Sequence, residues 1–308
     1  MVNRVLIRIK VLQIVYAYYQ NGNVDLKSAE NDLQFSMRKS YELYLSLLLL
    51  MVEVTRLQSR ILEAKKEKYV PTEEELNPNL RFVNNRFIAQ LAANETLLKE
   101  MKDNTISWDN DEDFVKRILD MILNSELYTN YLEAEEDNYE QDRQFWYRIF
   151  KKVICNNEMV DEFLEDKSIF WNDDIEIVES FVLKTIKRFE EANGDKQELM
   201  PMFKEEEDRT FAVKLLRQTF LKGPEYREMI GHYLTNWDAD RIAHIDMVIL
   251  QIALAEIFSF PTIHTSISLN EYVEIAKYYS SPKKLPFINA TLESIICDAK
   301  RDHKLLKN

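Results

Sequence analysis

The sequence predicts an all-α protein, and three observations lead to that fold class. The chain has only 4 Gly and 7 Pro among 308 residues. Tight turns between strands and phosphate-cradling loops use glycine at positive φ, so this scarcity disfavours sheet-based and dinucleotide-binding folds. Hydrophobic residues make up 46% of the chain, which is enough for a folded core. Along most of the chain, apolar side chains also recur at the three- and four-residue steps of a helix face.

A first helix is predicted over residues 3–20. Asn21-Gly22-Asn23 would end it, because these residues tolerate left-handed backbone. Arg4 and Arg8 are one helical turn apart, so their guanidinium groups would share a face, and no acidic residue occurs before residue 25. A basic helix of this kind suits phosphate binding. An ordinary solvated face is the alternative interpretation.

The middle of the chain is predicted to form a series of helices. A long helix is expected from Asp25 to about Lys68, followed by a polar linker that contains Pro71 and Pro78. Shorter helices are expected at about 81–102, 111–132, 145–154, 157–166 and 173–192. The acidic stretch, defined here as residues 133–142, is most simply a solvated surface.

Further helices are predicted in the C-terminal part. One covers Arg209–Leu221, and Gly223-Pro224 would end it and start the next, since proline is tolerated in a first helical turn. An apolar helix is expected over Met247–Phe258. Ser268 and Glu271 fit a capping box, in which the serine accepts from first-turn N–H groups and the glutamate reaches back.

Charge is unevenly distributed along the chain. The net charge of -13 speaks against a nucleic-acid partner at first sight. However, residues 25–204 carry 24 Lys and Arg against 38 Asp and Glu, whereas the remainder carries 16 against 15. The acidity therefore belongs to the middle of the chain and not to its two ends.

The sequence contains none of the common catalytic or metal-binding motifs. It has no phosphate-binding glycine loop, no dinucleotide fingerprint, no zinc-protease motif and no nucleophile elbow. Its two cysteines and four histidines have no ligand-like spacing, and the cysteines are expected to be small buried side chains. We therefore expect neither catalytic residues, nor a cofactor, nor a metal site. The most apolar run, Leu43–Val52, is about half of the ~20 residues needed to cross a bilayer, so a cytoplasmic protein is expected.

Both ends of the chain resemble the transcription antitermination factor NusB family. The N-terminal residues are Arg4-x3-Arg8 followed by Val11–Tyr16. The C-terminal residues follow the family pattern in order over about 205–302, and they are Leu234-Thr235-Asn236-Trp237, Arg241-Ile242, Ile245-Asp246, Ile249-Leu250, Glu256-Ile257, Ile267–Lys277, Phe287-Ile288-Asn289 and Leu292. The family protein is usually about half this length. The resemblance therefore predicts a NusB-like helical bundle with an enlarged helical insertion.

The resemblance implies a function and a set of partners. Family members bind boxA-type RNA of ribosomal RNA operons with a small-subunit ribosomal protein, NusE, and act on the transcription elongation complex. In the family, the first helix and the loop before the last helix form the RNA surface. On that basis the expected RNA contacts in this sequence are Arg4, Arg8, Ser281, Lys283, Lys284 and Phe287. Tyr16 and Asp246 are the expected contacts to the ribosomal protein.

Elementary chemistry supports the loop as a phosphate site and offers alternative roles for Phe287 and Asp246. The loop Ser280–Lys284 precedes a helix expected to start at Pro286, so hydroxyls, lysines and helix N–H groups could hold a phosphate. Phe287 could stack on a base, although core packing is the commoner fate of such a side chain. Asp246 would suit the positive end of the helix dipole without any partner.

The expected domains are 1–24 as the first helix of the core, 25–204 as an insertion of unassigned role, 205–302 as the C-terminal bundle and 303–308 as a tail. Two rival functions remain. One is the RNA-positioning domain of ribosomal RNA cytosine methyltransferases, but this chain shows no methyl-donor-binding part. The other is a helical scaffold or ribosome-assembly factor that has the same fold without boxA binding.

Overall fold

A computed structural model describes residues 1–22, 25–104, 106–234 and 242–305, with the side chain of Asn104 excepted. Asn23, Thr235, Asn236-Trp237 and Arg241, which entered the sequence argument, lie outside the described residues. The all-α prediction is confirmed, because the described residues form helices and no strand. None of these helices is both long and apolar enough to cross a membrane.

The helices of the first half of the chain are α1 (Arg4–Gln20), α2 (Leu26–Lys66), α3 (Glu73–Leu76), α4 (Arg86–Ala92), α5 (Glu95–Asn104), α6 (Glu112–Leu123), α7 (Glu126–Glu133) and α8 (Tyr139–Ile149). A π-helix, Phe150–Ile154, continues α8. The helices of the second half are α9 (Glu158–Lys167), α10 (Ile175–Arg188), α11 (Glu206–Leu221), α12 (Gly223–His232), α13 (His244–Ser259), α14 (Thr265–Tyr279) and α15 (Leu285–Arg301). Short 3-10 helices lie at Glu191–Lys196 and Pro282–Lys284.

Two predicted helices of the middle part are each split in two. Asn94 separates α4 from α5, since its side chain accepts from Leu97 N at 3.0 Å and donates to the carbonyl of Gln197 at 2.7 Å. Ser125 separates α6 from α7 by capping the N–H of Tyr128 at 3.2 Å. These side chains satisfy N–H groups at the start of a new helix, which apolar periodicity alone does not reveal.

The chain divides into two compact units. Unit 1 comprises Met1 and Arg38–Met202, and unit 2 comprises Val2–Met37 and Phe203–Asn308. Helix α2 belongs to both, and its first part, up to Met37, goes with unit 2. The unit boundaries therefore differ from the expected 25–204 insertion, whose status as a domain stays a prediction.

Unit 1 is held by aromatic packing and by buried polar bonds. Trp146 is fully buried, and the ring of Phe82 lies 5.7 Å from it. Asp142, which the sequence placed in a solvated acidic stretch, is buried and accepts from Arg86 N at 2.8 Å and from the hydroxyl of Tyr131 at 2.5 Å. That residue is thus a structural carboxylate, whereas Glu135, Glu136 and Asp137 are exposed.

Unit 2 is built around α13, which is buried along most of its length. Helices α1, α11, α12, α14 and α15 pack against it. Because helices surround α13, a single apolar stripe could not face all of them. The helix is accordingly apolar on nearly every side. The buried exceptions are Asp246, Gln251 and Glu256. Cys297 on α15 is exposed, contrary to the expectation of a buried thiol.

Candidate nucleic-acid interface

Arg4 lies in the first turn of α1, where Asn3 caps the helix by accepting from Leu6 N at 2.9 Å. No acidic residue occupies that turn. The side chain of Arg4 is 41% exposed. Its guanidinium lies 3.3 Å from the carboxylate of Asp208 and over the ring of Phe211 at 5.1 Å. Arg4 is therefore oriented by its neighbours, but its side chain keeps exposed surface that a phosphate could approach.

Arg8 has a different environment, although it lies one turn from Arg4. Its side chain is 3% exposed and binds both carboxylate oxygens of Glu256 at 2.8 Å, and it also reaches Glu271 at 3.0 Å. Burial by itself would lower the pKa of Arg8, but the hydrogen bonds and charge of Glu256 outweigh it and raise the pKa. The guanidinium donors are thus directed inward, and this geometry does not support Arg8 as an RNA contact.

Glu256 is the centre of a buried polar cluster, defined here as Arg8, Glu256, Ser268 and Tyr272. The Ser268 hydroxyl donates to Glu256 at 2.8 Å and the Tyr272 hydroxyl donates to it at 2.9 Å. Burial and the nearby carboxylate raise the pKa of Tyr272, which keeps its hydroxyl protonated as a donor. The cluster joins α1, α13 and α14 through charge-assisted hydrogen bonds.

The predicted capping box at Ser268 and Glu271 is wrong. Helix α14 begins at Thr265, so Ser268 lies inside the helix and points at Glu256, while Glu271 pairs with Arg8. The capping residue is His264, whose ring nitrogen accepts from Ser266 N at 3.3 Å. The spacing of serine and glutamate matched the motif, but the buried Glu256 and Arg8 attract both side chains instead.

The loop before α15 is more exposed than the rest of the candidate interface. Ser281 and Lys283 are exposed, while Lys284 and Phe287 are half-buried. Pro282–Lys284 forms a 3-10 turn in which Lys284 N donates to the carbonyl of Ser281 at 2.8 Å. Helix α15 begins at Leu285, one residue earlier than predicted. A hydroxyl and lysine side chains thus lie at the start of a helix, which suits an anion.

Asp246 lies in the first turn of α13 and is fully buried. One carboxylate oxygen accepts from the hydroxyl of Ser280, and the other has no hydrogen-bond partner in the part of the chain that the structure describes. Tyr16 is half-buried, and its ring lies 5.4 Å from the ring of His244, two residues before Asp246. The structure therefore brings Tyr16 to the start of α13, where Asp246 holds the loop that contains Ser280.

Sequence reasoning missed Glu256, Tyr272 and Asp208 as determinants of this region. Glu256 could have been noticed, because a lone carboxylate near the end of an apolar helix must be paired if it is buried. Its partner Arg8 could not have been identified from the sequence, because Arg8 lies 248 residues away from Glu256 along the chain. No metal-ligand cluster of three or more side chains occurs among the residues the structure describes.

The chain is similar in sequence to proteins of the NusB family. The sequence profile of the NusB family matches residues 173–296. The chain is 32% identical to the transcription antitermination protein NusB of Salinibacter ruber over 41% of this chain and 82% of that protein. It is 31% identical to the protein of the same name from Bacillus pumilus over 39% of this chain and 92% of that protein. The counterpart in Koribacter versatilis is 36% identical over 32% of this chain and 70% of that protein. No solved structure gave a significant match.

Proposed function

The chain belongs to the NusB family as a long form with additional helices, and we propose that it is an RNA-binding transcription antitermination factor. In this proposal it binds boxA-type RNA of ribosomal RNA operons together with NusE and acts on the transcription elongation complex in the cytoplasm. Its role is binding and not catalysis. The observation that carries the proposal is the similarity to proteins named transcription antitermination protein NusB over most of their length.

The geometry of unit 2 supports an RNA surface with a narrower set of contacts than the sequence suggested. The Arg4 side chain is partly exposed, and Ser281 and Lys283 are exposed ahead of α15. Lys284 and Phe287 flank them in the same short segment. Phosphate contacts of this kind position an RNA, and an aromatic ring beside them can stack on a base. Arg8 supports the surface from inside, because its donors are held by Glu256.

The proposed contact to the ribosomal protein lies at the start of α13. Tyr16 has accessible surface there, whereas the Asp246 side chain has none. Tyr16 would therefore touch the partner directly, and Asp246 would act by holding Ser280 and its loop in place. Asp246→Asn should weaken partner binding less than Tyr16→Ala does, if this division of roles is correct.

Charge reversal in the loop tests the RNA proposal. Lys283→Glu should weaken binding of boxA-like RNA by roughly tenfold at moderate salt and flatten its salt dependence, because each lost phosphate contact releases about one counterion fewer. Fluorescence anisotropy over a salt series measures both effects, with and without the ribosomal protein.

Lys300→Glu is the matched control, since Lys300 is an exposed lysine in the last turn of the same helix that the loop precedes. If Lys283→Glu and Lys300→Glu weaken RNA binding equally, the RNA is attracted by the general positive charge of this region and not by a specific site in the loop. No RNA binding by the wild-type chain at low salt, in either condition, would refute the proposal.

A helical scaffold or ribosome-assembly factor without boxA binding is the second candidate. The observation that favours it is the burial of Arg8, because one of the two arginines on the first helix is used within the fold. Co-purification with ribosomal proteins after nuclease treatment, combined with no affinity for boxA-like RNA, would select this candidate.

A further inference from the structure

A cavity of about 530 Å³ lies in unit 2 between α12, α13 and α15. Helix α12 lines it with one face, because Glu225, Glu228, Met229 and His232 are spaced by three and four residues. Helix α13 contributes Phe258. This volume lies within the range of about 300–1,000 Å³ that is usual for ligand pockets.

Asp302 and Lys304, which follow α15, line one side of this cavity. His303 adopts left-handed backbone with φ 54°, and Lys304 N and Leu305 N then donate to the carbonyl of Ala299 at 2.9 and 3.1 Å. Leu305 is buried against Ile257 and Ala299, with Phe258 packed beside it. Leu305 therefore anchors to the core the segment that carries the lining residues Asp302 and Lys304.

The rim of the cavity is acidic. Glu225 and Glu228 are exposed, and neither forms an ion pair with any described residue. Asp298 accepts from the Tyr233 hydroxyl at 2.6 Å and pairs with Arg301 at 3.0 Å. Asp302 lies 3.7 Å from Arg301 and 3.8 Å from the ammonium of Lys304. Glu225 and Glu228 therefore carry the uncompensated negative charge of the rim among the described residues, and this charge attracts cations.

The floor of the cavity is apolar. Met229 and Phe258 are half-buried and Ile295 is buried, so the floor offers a thioether, an aromatic ring and an aliphatic chain. A simple polycation would neutralise the carboxylates of the rim but leave the apolar floor in contact with water. A segment with an apolar anchor and basic neighbours satisfies both, because burying the anchor adds the hydrophobic contribution.

We propose that this cavity is a docking site for a basic amphipathic helical segment of a protein partner. The segment places a leucine-like side chain on Met229 and Phe258 and its lysines or arginines beside Glu225 and Glu228. The proposal is independent of RNA binding, since it uses none of the residues of the candidate nucleic-acid interface.

Titration of the full chain with synthetic peptides tests the proposal. The probe is a helical peptide of about 16 residues with leucines on one face and lysines and arginines beside them. A second peptide has the same composition, but its order is permuted so that the leucines share no face, and spermine serves as a polycation without an apolar anchor. Calorimetry gives affinities, and the ¹³C-methyl NMR signal of Met229, assigned with Met229→Leu, locates the site.

The expected result is that the amphipathic peptide binds, shifts the Met229 methyl signal and binds roughly tenfold more weakly to the double variant Glu225→Lys/Glu228→Lys. The matched control is Glu206→Lys/Glu207→Lys, which reverses two exposed acidic residues on α11, outside the cavity, and should leave the affinity unchanged. Thermal melting checks that both double variants fold.

Several results would overturn the proposal. Equal weakening by both double variants would reduce the binding to general attraction by an acidic protein. Equal affinity for the permuted peptide or for spermine would identify a polycation site without an apolar anchor. Absence of peptide binding, or binding that leaves the Met229 methyl signal unshifted, would show that this cavity is not a docking site.

Discussion

Burial distinguishes Arg8 from Arg4, although both occupy the same face of α1. The Arg8 side chain is 3% exposed and pairs with the buried Glu256, whereas the Arg4 side chain is 41% exposed and pairs with Asp208. A buried charge must be paired to avoid a large desolvation penalty, so Arg8 and Glu256 depend on each other. Arg4 can exchange its partner for a phosphate at little cost.

Glu256→Ala should lower the free energy of unfolding by about 3–5 kcal/mol, because it leaves the guanidinium of Arg8 buried without its main partner. Urea unfolding followed by circular dichroism measures the change. The control is Glu274→Ala, which removes an exposed carboxylate of α14 that pairs with Lys277, and a change below about 0.5 kcal/mol is expected. Equal losses in the two variants would show that Arg8 is not stabilised by Glu256.

Glu179 on α10 makes the stability depend on pH. The side chain is 3% exposed, and burial together with the charge of Asp161 raises the pKa of Glu179 from 4.5 to about 7. Because the folded state binds this proton more tightly than the unfolded state, the protonated carboxyl contributes stability below about pH 4.5. That contribution is lost as the pH rises through about 7.

Glu179→Gln should therefore reduce the fall in unfolding free energy between about pH 5 and pH 8 by about 2 kcal/mol, since the amide does not ionise. Urea midpoints at the two pH values measure it. Glu95→Gln, at an exposed position in the first turn of α5, should keep the wild-type pH dependence. An unchanged pH dependence in Glu179→Gln would contradict the raised pKa.

At the scale of elements, α14 shows how a tertiary partner overrides a local motif. The capping-box spacing of Ser268 and Glu271 exists in the sequence and would start the helix at Leu269, but the helix starts four residues earlier, at Thr265. Both side chains then turn toward the buried polar cluster. The same physical rule applies at Asn94 and Ser125, where single polar side chains start new helices inside apparently continuous periodic stretches.

Ser268→Ala distinguishes the two roles of this serine. Loss of a hydrogen bond to the buried carboxylate of Glu256 should cost about 1–2 kcal/mol of unfolding free energy, because the carboxylate keeps less than its full set of donors. Chemical denaturation measures the loss. Ser294→Ala, at an exposed position of α15, should change it by less than about 0.5 kcal/mol. Equal losses in the two variants would contradict a stabilising bond from Ser268 to Glu256.

At the scale of the whole molecule, the chain combines two compact units with different charge. Most of the acidic excess lies within residues 25–204, which largely correspond to unit 1, whereas the RNA candidates Arg4, Lys283 and Lys284 belong to unit 2. Net charge alone therefore describes the protein poorly as an RNA-binding candidate. The charge of each unit is the relevant quantity, since surface interactions beyond about 10 Å are screened at ordinary salt.

Hydrogen exchange should distinguish the two compact units, unit 1 and unit 2. Glu256→Ala should reduce amide protection in α1, α13 and α14 of unit 2 more than in α4, α8 and α10 of unit 1, because the lost bonds join only the former helices. Exchange followed by mass spectrometry measures protection peptide by peptide. A uniform loss across both units would show that the chain opens as one cooperative body.

Local sequence patterns determined the fold class, the family resemblance and the bounds of α1, α2 and α13 to within a few residues, because periodicity and glycine scarcity are read over short segments. The same patterns placed Ser281 and Lys283 in an exposed loop before the last helix. Tertiary structure alone decided that Arg8 is internal, that Asp246 is buried and that Ser268 serves Glu256. Those outcomes depend on partners up to 263 residues away in sequence. Whether a charged side chain is buried is decided by the groups that pack around it and not by its neighbours along the chain.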